Sequence, residues 1–257
     1  MHLAFEGVSF GYEGQRTIAD VSFKAPTGGV LAVVGPSGAG KTTLAKLAAG
    51  LLRPSAGTVH FAGSAARPTM AAFAFQEAQL LDWLSCIENV LIWRAASGKR
   101  PSQADRAEAT RLLLSLGLEQ SELAKRPEAL SVGMKARVNL ARALFSQRAL
   151  LVLDEPFAAL DFVAIERVVR ALDIWRHAKT EGLILLVTHD LRWAAQLADF
   201  TLLVSPGGAV RLEAFGAKPS NDEELNDREK RMRSAFVERP ITESSSLTPQ
   251  SGAAPSR

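Results

Sequence analysis

The chain has one cysteine, one tyrosine and four histidines in 257 residues. A lone thiol, Cys86, excludes an internal disulfide framework and a cysteine-built zinc cluster, and it points to a reducing compartment. The histidines are scattered, with no close metal-ligand pair. No stretch approaches the roughly 18 uninterrupted apolar residues that a membrane helix needs. The strongest apolar runs, Leu150–Leu153 and Leu183–Val187, have the length of strands. The opening MHLAFEGVSF lacks the basic and long apolar regions of a secretion signal. A net charge of +3 is too small to imply a nucleic-acid binder. No internal repeat is visible. What is present is ordinary for a folded protein, 47% hydrophobic and 22% charged. The length corresponds to about 1.7 average domains, so one large α/β domain or one domain with an insertion.

Leu3, Phe5, Val8 and Phe10 suggest a half-buried strand pair broken at Glu6-Gly7. Val30–Val34 reads as a strand buried on both faces. A glycine-rich loop follows, then a helix over Thr43–Leu52 stopped by Pro54, then a strand near Thr58–Phe61. From about Gln76 to Gln147 helical periodicity takes over. Ser102 is a plausible N-cap with Asp105 three residues on, ahead of a helix over Ala104–Leu116. Ser131 precedes a second helix over Val132–Phe145. Strands and helices then alternate: Leu150–Leu153, Val163–Lys179, Leu183–Val187 and Leu191–Ala198, followed by a hairpin of Thr201–Val204 and Ala209–Leu212. Such alternation implies a parallel sheet with crossover helices. From Ala217 onward seven basic and seven acidic residues cancel. Ser220–Phe236 reads as a solvated helix, and Thr242–Arg257, rich in Ser, Pro, Gly and Ala, reads as disordered.

Gly35–Thr42, GPSGAGKT, matches the phosphate-binding pattern G-x-x-x-x-G-K-[ST] in full, between a buried strand and a helix as that pattern requires. Gly35, Gly38 and Gly40 permit positive φ and close backbone approach. Successive N–H groups at a helix start then form an anion nest. Lys41 is placed to neutralise β- and γ-phosphate oxygens, and the Thr42 hydroxyl to ligate Mg²⁺. A second motif, LLVLDEP over 150–156, sets Asp154 at the carboxyl end of a strand, where open α/β sheets bind ligands. Asp154 is the candidate Mg²⁺ ligand and Glu155 the candidate general base toward water.

These motifs resemble the ATPase subunit of ATP-binding cassette transporters over about residues 1–216. The resemblance implies a P-loop NTPase (RecA-like) α/β core, an N-terminal antiparallel β subdomain and an inserted α-helical subdomain at about 76–147. Residues 217–257 would be an appendage. It implies an ATP site of Gly35, Pro36, Ser37, Gly38, Ala39, Gly40, Lys41, Thr42 and Thr43. Tyr12 sits where the family stacks an aromatic on adenine, although a strand-end aromatic in a half-buried position fits it as well. Gln76 in AFAFQEAQLLDW resembles the glutamine loop that meets Mg²⁺ and the attacking water. LSVGM over 130–134 stands in place of the signature L-S-G-G-Q, offering Ser131 and Gly133 to a γ-phosphate. FAALD over 157–161 resembles the aspartate loop ending at Asp161, and His189 in Thr188-His189-Asp190 resembles the switch histidine.

Val132 replaces the usual signature glycine and Met134 the usual glutamine. Both retained contacts, Ser131 and Gly133, remain, and valine at a first helical position costs only a few tenths of a kcal/mol, so ATP hydrolysis is expected. The family implies a head-to-tail homodimer around two ATP molecules, docked on a separate membrane permease at the cytoplasmic face and served by a solute-binding protein. FQEAQLLDWLSCIENV resembles the pattern of nitrate, sulfonate and taurine importer ATPases, with Asp82 in place of proline. Other importers, such as those for thiamine precursors, and a soluble regulatory or weakly active ATPase of this kind without a permease are the alternatives. One P-loop and no heptad coiled coil exclude translation factors and DNA-repair relatives. Trp83, Trp93, Trp175 and Trp193 read as packing residues, Trp83 and Trp93 also fitting a partner groove. Cys86 reads as an inert small hydrophobe.

Overall fold

The computed structural model describes residues 1–13, 15–62, 64–65, 71–206, 208–215 and 218–237. The proposed disorder of 242–257 lies outside them. Four strands form an antiparallel sheet: β1 (His2–Tyr12), β2 (Gln15–Pro26), β4 (Ala56–Phe61) and β5 (Ser64–Ala65), in the order β2-β1-β4-β5. Six form the second sheet: β3 (Val30–Val34), β6 (Ala71–Ala74), β7 (Leu150–Asp154), β8 (Leu183–Thr188), β9 (Phe200–Val204) and β10 (Val210–Glu213). Their order is β10-β9-β3-β8-β7-β6, parallel except at the β9–β10 hairpin.

The apolar runs of the central strands β3, β7 and β8 follow from burial on both faces. Along β7, Leu150 and Val152 join a core shared with the antiparallel sheet and helix α1 (Lys41–Ala48). Leu151 and Leu153 face the opposite core, shared with α2 (Cys86–Ala96), α3 (Gln103–Ser115), α4 (Val132–Phe145) and α5 (Phe162–Ala178). A third cluster joins Ala32, Val34 and Leu203 to α6 (Leu191–Leu197) and α7 (Asp222–Val237). The α2–α4 block therefore shares a core with the sheet and is not insulated from it.

Four expectations change. The interruption at Glu6-Gly7 does not split two strands. It is a bulge in one 11-residue strand, held because β1 lies between β2 and β4 and Gly7 takes φ 59. Helix α1 starts earlier and ends earlier than expected, stopped by Gly50 at φ 68 and not by Pro54. There the Leu51 N–H reaches Lys46 O at 2.9 Å and the Gly50 N–H reaches Leu47 O at 3.0 Å. Helix α7 is not solvated all round: Leu225, Arg228 and Met232, spaced to share a face, are buried. Trp83 does not pack. It is 67% exposed, on a turn braced by buried Asn89, which bonds the Leu81 N–H and the carbonyls of Leu81, Leu84 and Ser85. Trp175 is buried and Trp93 and Trp193 are partly so, and Cys86 is fully buried.

Candidate functional site

The site is assembled at the carboxyl end of the parallel strands. Strand β3 leads into the loop at Gly35, where a Cβ would collide with the Val204 carbonyl oxygen of β9. At Gly40 φ is 93 and a Cβ would come within 2.8 Å of the Ile18 side chain. Only glycine fits both demands there. Gly40 is also the N-cap of α1 and supplies no side-chain hydrogen bond. Helices α2 to α6, by contrast, are each capped by a side chain: Ser85, Ser102, Ser131, Asp161 and Asp190 in turn. The helix that starts at the loop thus keeps its first-turn amides free, which is the arrangement an anion occupies.

Lys41 is 8% exposed and its Nζ donates to the carbonyls of Gly35 (3.0 Å) and Pro36 (2.9 Å). Burial holds its pKa below the usual lysine value, against the opposing pull of Glu155 and Asp154. The Thr42 hydroxyl donates to both carboxylate oxygens of Asp154, at 2.9 and 3.2 Å. Asp154, 3% exposed, has its pKa raised by burial and, in second place, by the Glu155 charge; the Thr42 hydrogen bond and the cations Lys46 and Lys41 offset part of this.

Register across β7 and β8 pairs Asp154 with Val187. The next residues of the two strands then meet: Glu155 Oε1 accepts from His189 Nδ1 at 2.9 Å. Glu155 is a non-glycine residue at φ 48, and its N–H is tied to Val187 O at 3.0 Å. Such a left-handed conformation costs about 1–3 kcal/mol and persists only where the surroundings enforce it. His189 itself is exposed.

Lys41, Thr42, Asp154, Glu155 and His189 are therefore gathered into one cluster of contacts and close charges. Gln76 is exposed just past β6, the strand beside β7. Tyr12 is exposed at the end of β1, edge-on to Phe10 at 4.9 Å. Ser131 uses its hydroxyl to accept the Met134 N–H, and Asp161 caps α5 through the Ala164 N–H. Among the described residues no hydrogen bond or ion pair joins Tyr12, Gln76, Ser131, Gly133 or Asp161 to residues 35–42. The start of α4 lies against the aspartate loop, since a Cβ on Gly133 would lie 3.0 Å from Ala159 O. Around them Val132 is 72% exposed, Phe162 69% and Val163 57%.

Two residues escaped the sequence reading. Asn139 of α4 donates to Phe75 O at 2.9 Å, and Arg142 donates to Gln79 O and to Asn139 Oδ1. The available signal was an asparagine in the apolar run Val138-Asn139-Leu140-Ala141.

The donor set around Thr42 and Asp154 suits a hard cation: a hydroxyl and a carboxylate, both oxygen, beside a phosphate nest. The raised pKa of Asp154 gives a test independent of catalysis. Above its folded pKa the buried carboxylate carries a charge penalty that disappears as pH falls, so neutralising it removes that penalty at pH 7. Asp154→Asn is expected to raise the melting temperature of the nucleotide-free protein, while removing turnover. Scanning calorimetry and an ATPase assay read the two effects.

The protein-family model "ABC transporter" matches residues 18–158. The aliphatic sulfonates import ATP-binding protein SsuB 1 of Rhizobium johnstonii is 36% identical over 211 residues, covering 80% of this chain and 74% of its own. The taurine import ATP-binding protein TauB of Yersinia pestis is 39% identical over 202 residues, covering 76% of each. A solved ATP-binding subunit of an ABC transporter superposes with a TM-score of 0.71 at 27% identity, covering 90% of this chain and all of its own.

Proposed function

Because the chain belongs to the ABC transporter family, as an ATP-binding and ATP-hydrolysing subunit, we propose that it powers uptake of a small sulfonate- or taurine-like anion. It would do so through a separate membrane permease, docked at the cytoplasmic face. The observation that carries the ATPase chemistry is the cluster of Lys41, Thr42, Asp154, Glu155 and His189 beside the one helix in α1–α6 that starts without a side-chain cap. The names of the relatives carry the substrate class.

ATP phosphates would take the free amides of α1 and draw Lys41 Nζ from its two carbonyls. A charge-assisted bond to phosphate is about twice as strong as a neutral one. Thr42, Asp154 and Gln76 would hold Mg²⁺. Bound there, the ion supplies charge neutralisation at the β- and γ-phosphate oxygens. Glu155 Oε2 orients the attacking water and accepts its proton, while the His189 hydrogen bond fixes the Oε1 side of the carboxylate. Tyr12 stacks on the adenine.

The second half of each site would come from another copy of this chain. Among the described residues no hydrogen bond or ion pair joins Ser131, Gly133 or Asp161 to the chain's own phosphate loop, and the apolar Val132, Phe162 and Val163, their neighbours in the chain, are exposed. Two copies packed head to tail would set Ser131 and the amino end of α4 on the partner's γ-phosphate. Residues 1–216 would form this cassette, with 76–147 as its helical subdomain and 217–257 as an appendage.

No described helix is long and apolar enough to cross a membrane, and the permease would be a separate chain. The chain tagged in its host and purified from detergent-solubilised membranes is expected to bring an integral membrane protein with it. In proteoliposomes of that complex, a solute-binding protein loaded with taurine or an alkanesulfonate is expected to raise turnover. Recovery of the chain alone contradicts the transporter assignment. Stimulation by neither anion contradicts the substrate class.

A further inference from the structure

Helix α4 begins at the Ser131 cap and ends at Phe145. Its apolar side, with Val138, Leu140, Ala141 and Leu144, is set into the core beneath the sheet. One buried position on it is polar. Asn139 is 3% exposed, and a buried amide is costly unless both its ends are bonded. Its Nδ2 donates to Phe75 O at 2.9 Å, and its Oδ1 accepts from Arg142 Nη2 at 2.8 Å. The other guanidinium arm, Nη1, donates to Gln79 O at 2.5 Å. The two carbonyls lie on either side of Gln76. The loop Phe75–Gln79 is therefore gripped at both ends by a single hydrogen-bonded pair one turn apart on α4. Gln76 itself has its side chain free and exposed between the two grips.

We propose that Asn139 and Arg142 are positioning residues that lock the Gln76 loop onto the helix headed by Ser131, so that Gln76 and Ser131 move as one body. This rests on the roles given above to those two residues. Gln76 addresses the nucleotide of its own chain, whereas Ser131 addresses that of the partner. The clamp makes the arrival of one contact depend on the other. A loop held only at its strand end would let Gln76 settle on water independently of dimer closure. The clamp removes that freedom, because any rotation of α4 carries Phe75 O and Gln79 O with it.

The test is a double-mutant cycle in the full chain. Asn139→Ala is expected to lower kcat about tenfold, the scale typical of a lost orienting partner, with the apparent KM for ATP within about twofold of the parent. In a Gln76→Ala background the same substitution is expected to change kcat by less than about twofold, since its effect passes through Gln76. Arg142→Lys, which cannot span Asn139 and Gln79 together, should act in the same direction. Hydrogen exchange gives a readout apart from activity: amides of residues 76–80 should lose protection by about tenfold in Asn139→Ala, with those of α1 unchanged. Equal losses of kcat in both backgrounds, or unaltered exchange over 76–80, overturn the clamp while leaving Gln76 in the site. Wild-type turnover in Gln76→Ala alone removes Gln76 from the chemistry, and the clamp's function with it.

Discussion

Lys41→Ala is expected to lower ATP turnover by about 10³-fold, the upper end for removal of one preorganised charged donor. The reason lies in how phosphoryl transfer is catalysed. The reaction needs little covalent help and much positioning and charge stabilisation, so the one cation in the loop carries a large share. Lys41 is also poised for exchange. Its ammonium is buried, its hydrogen bonds among the described residues go to two backbone carbonyls, and burial lowers its pKa against the pull of Glu155 and Asp154. Because the folded protein holds this charge at a cost, alanine should not unfold it. A lowered lysine pKa means the folded state favours the neutral amine, so stability rises with pH through the interval between the folded and unfolded values. Lost activity with an unchanged melting temperature is the expected pair of results. Arginine should not rescue, since its planar fork does not substitute for a compact ammonium in a loop fitted to lysine. Wild-type hydrolysis by Lys41→Ala would remove Gly35–Thr42 from the site.

Glu155→Gln is expected to lower kcat by about 10²–10⁴-fold, the range for loss of a positioned general base, while ATP binding persists. The substitution is nearly isosteric. Glutamine meets the same φ of 48 and can keep the backbone bond to Val187 O, so the turn should survive. Its amide oxygen can still accept from His189 Nδ1, as Glu155 Oε1 does at 2.9 Å. What disappears is the ability to take a proton from water. Lys41, Thr42 and the free amides of α1 are untouched, so nucleotide affinity should change little. Single-turnover and equilibrium-binding measurements separate the two. A loss of binding equal to the loss of kcat would mean that Glu155 shapes the nucleotide pocket and does not act on water.

The parts of the molecule legible in the sequence were those governed by local rules. The apolar runs Val30–Val34 and Leu150–Leu153 are short and followed by glycine or acid, and the strands lie where those runs put them, the second extending by one residue to Asp154. Helix starts at Ser102 and Ser131 were readable because the caps are local side-chain bonds. What was not legible depended on neighbours distant in sequence. β2 and β6 lack clean alternation, since their registers are set by β1 and β7. The helix Cys86–Ala96 hid behind an unremarked capping box of Ser85 and Glu88. α7 looked solvated because its buried face carries Arg228, a residue usually read as exposed. The chain covers it by docking on Ala194, Ala195 and Ala198, with Arg228 Nη2 donating to Ala198 O at 2.7 Å. At the site, the motifs named Asp154 and Glu155 but could not foretell that the register of β7 on β8 would join Glu155 to His189. Nor could they foretell that Asn139 would reach back 64 residues to the Gln76 loop.

Hydrolysis is proposed to be completed between two copies of this chain, each supplying Ser131 to the other's ATP. The most direct measurement is light scattering of purified Glu155→Gln after size exclusion, with ATP and with ADP. With ATP the mass is expected to be twice that of the 27.6 kDa chain, and with ADP, or with ATP in Ser131→Arg on the same background, it should return to that of one chain. A Glu155→Gln protein that binds ATP stoichiometrically and remains one chain in mass would contradict the account.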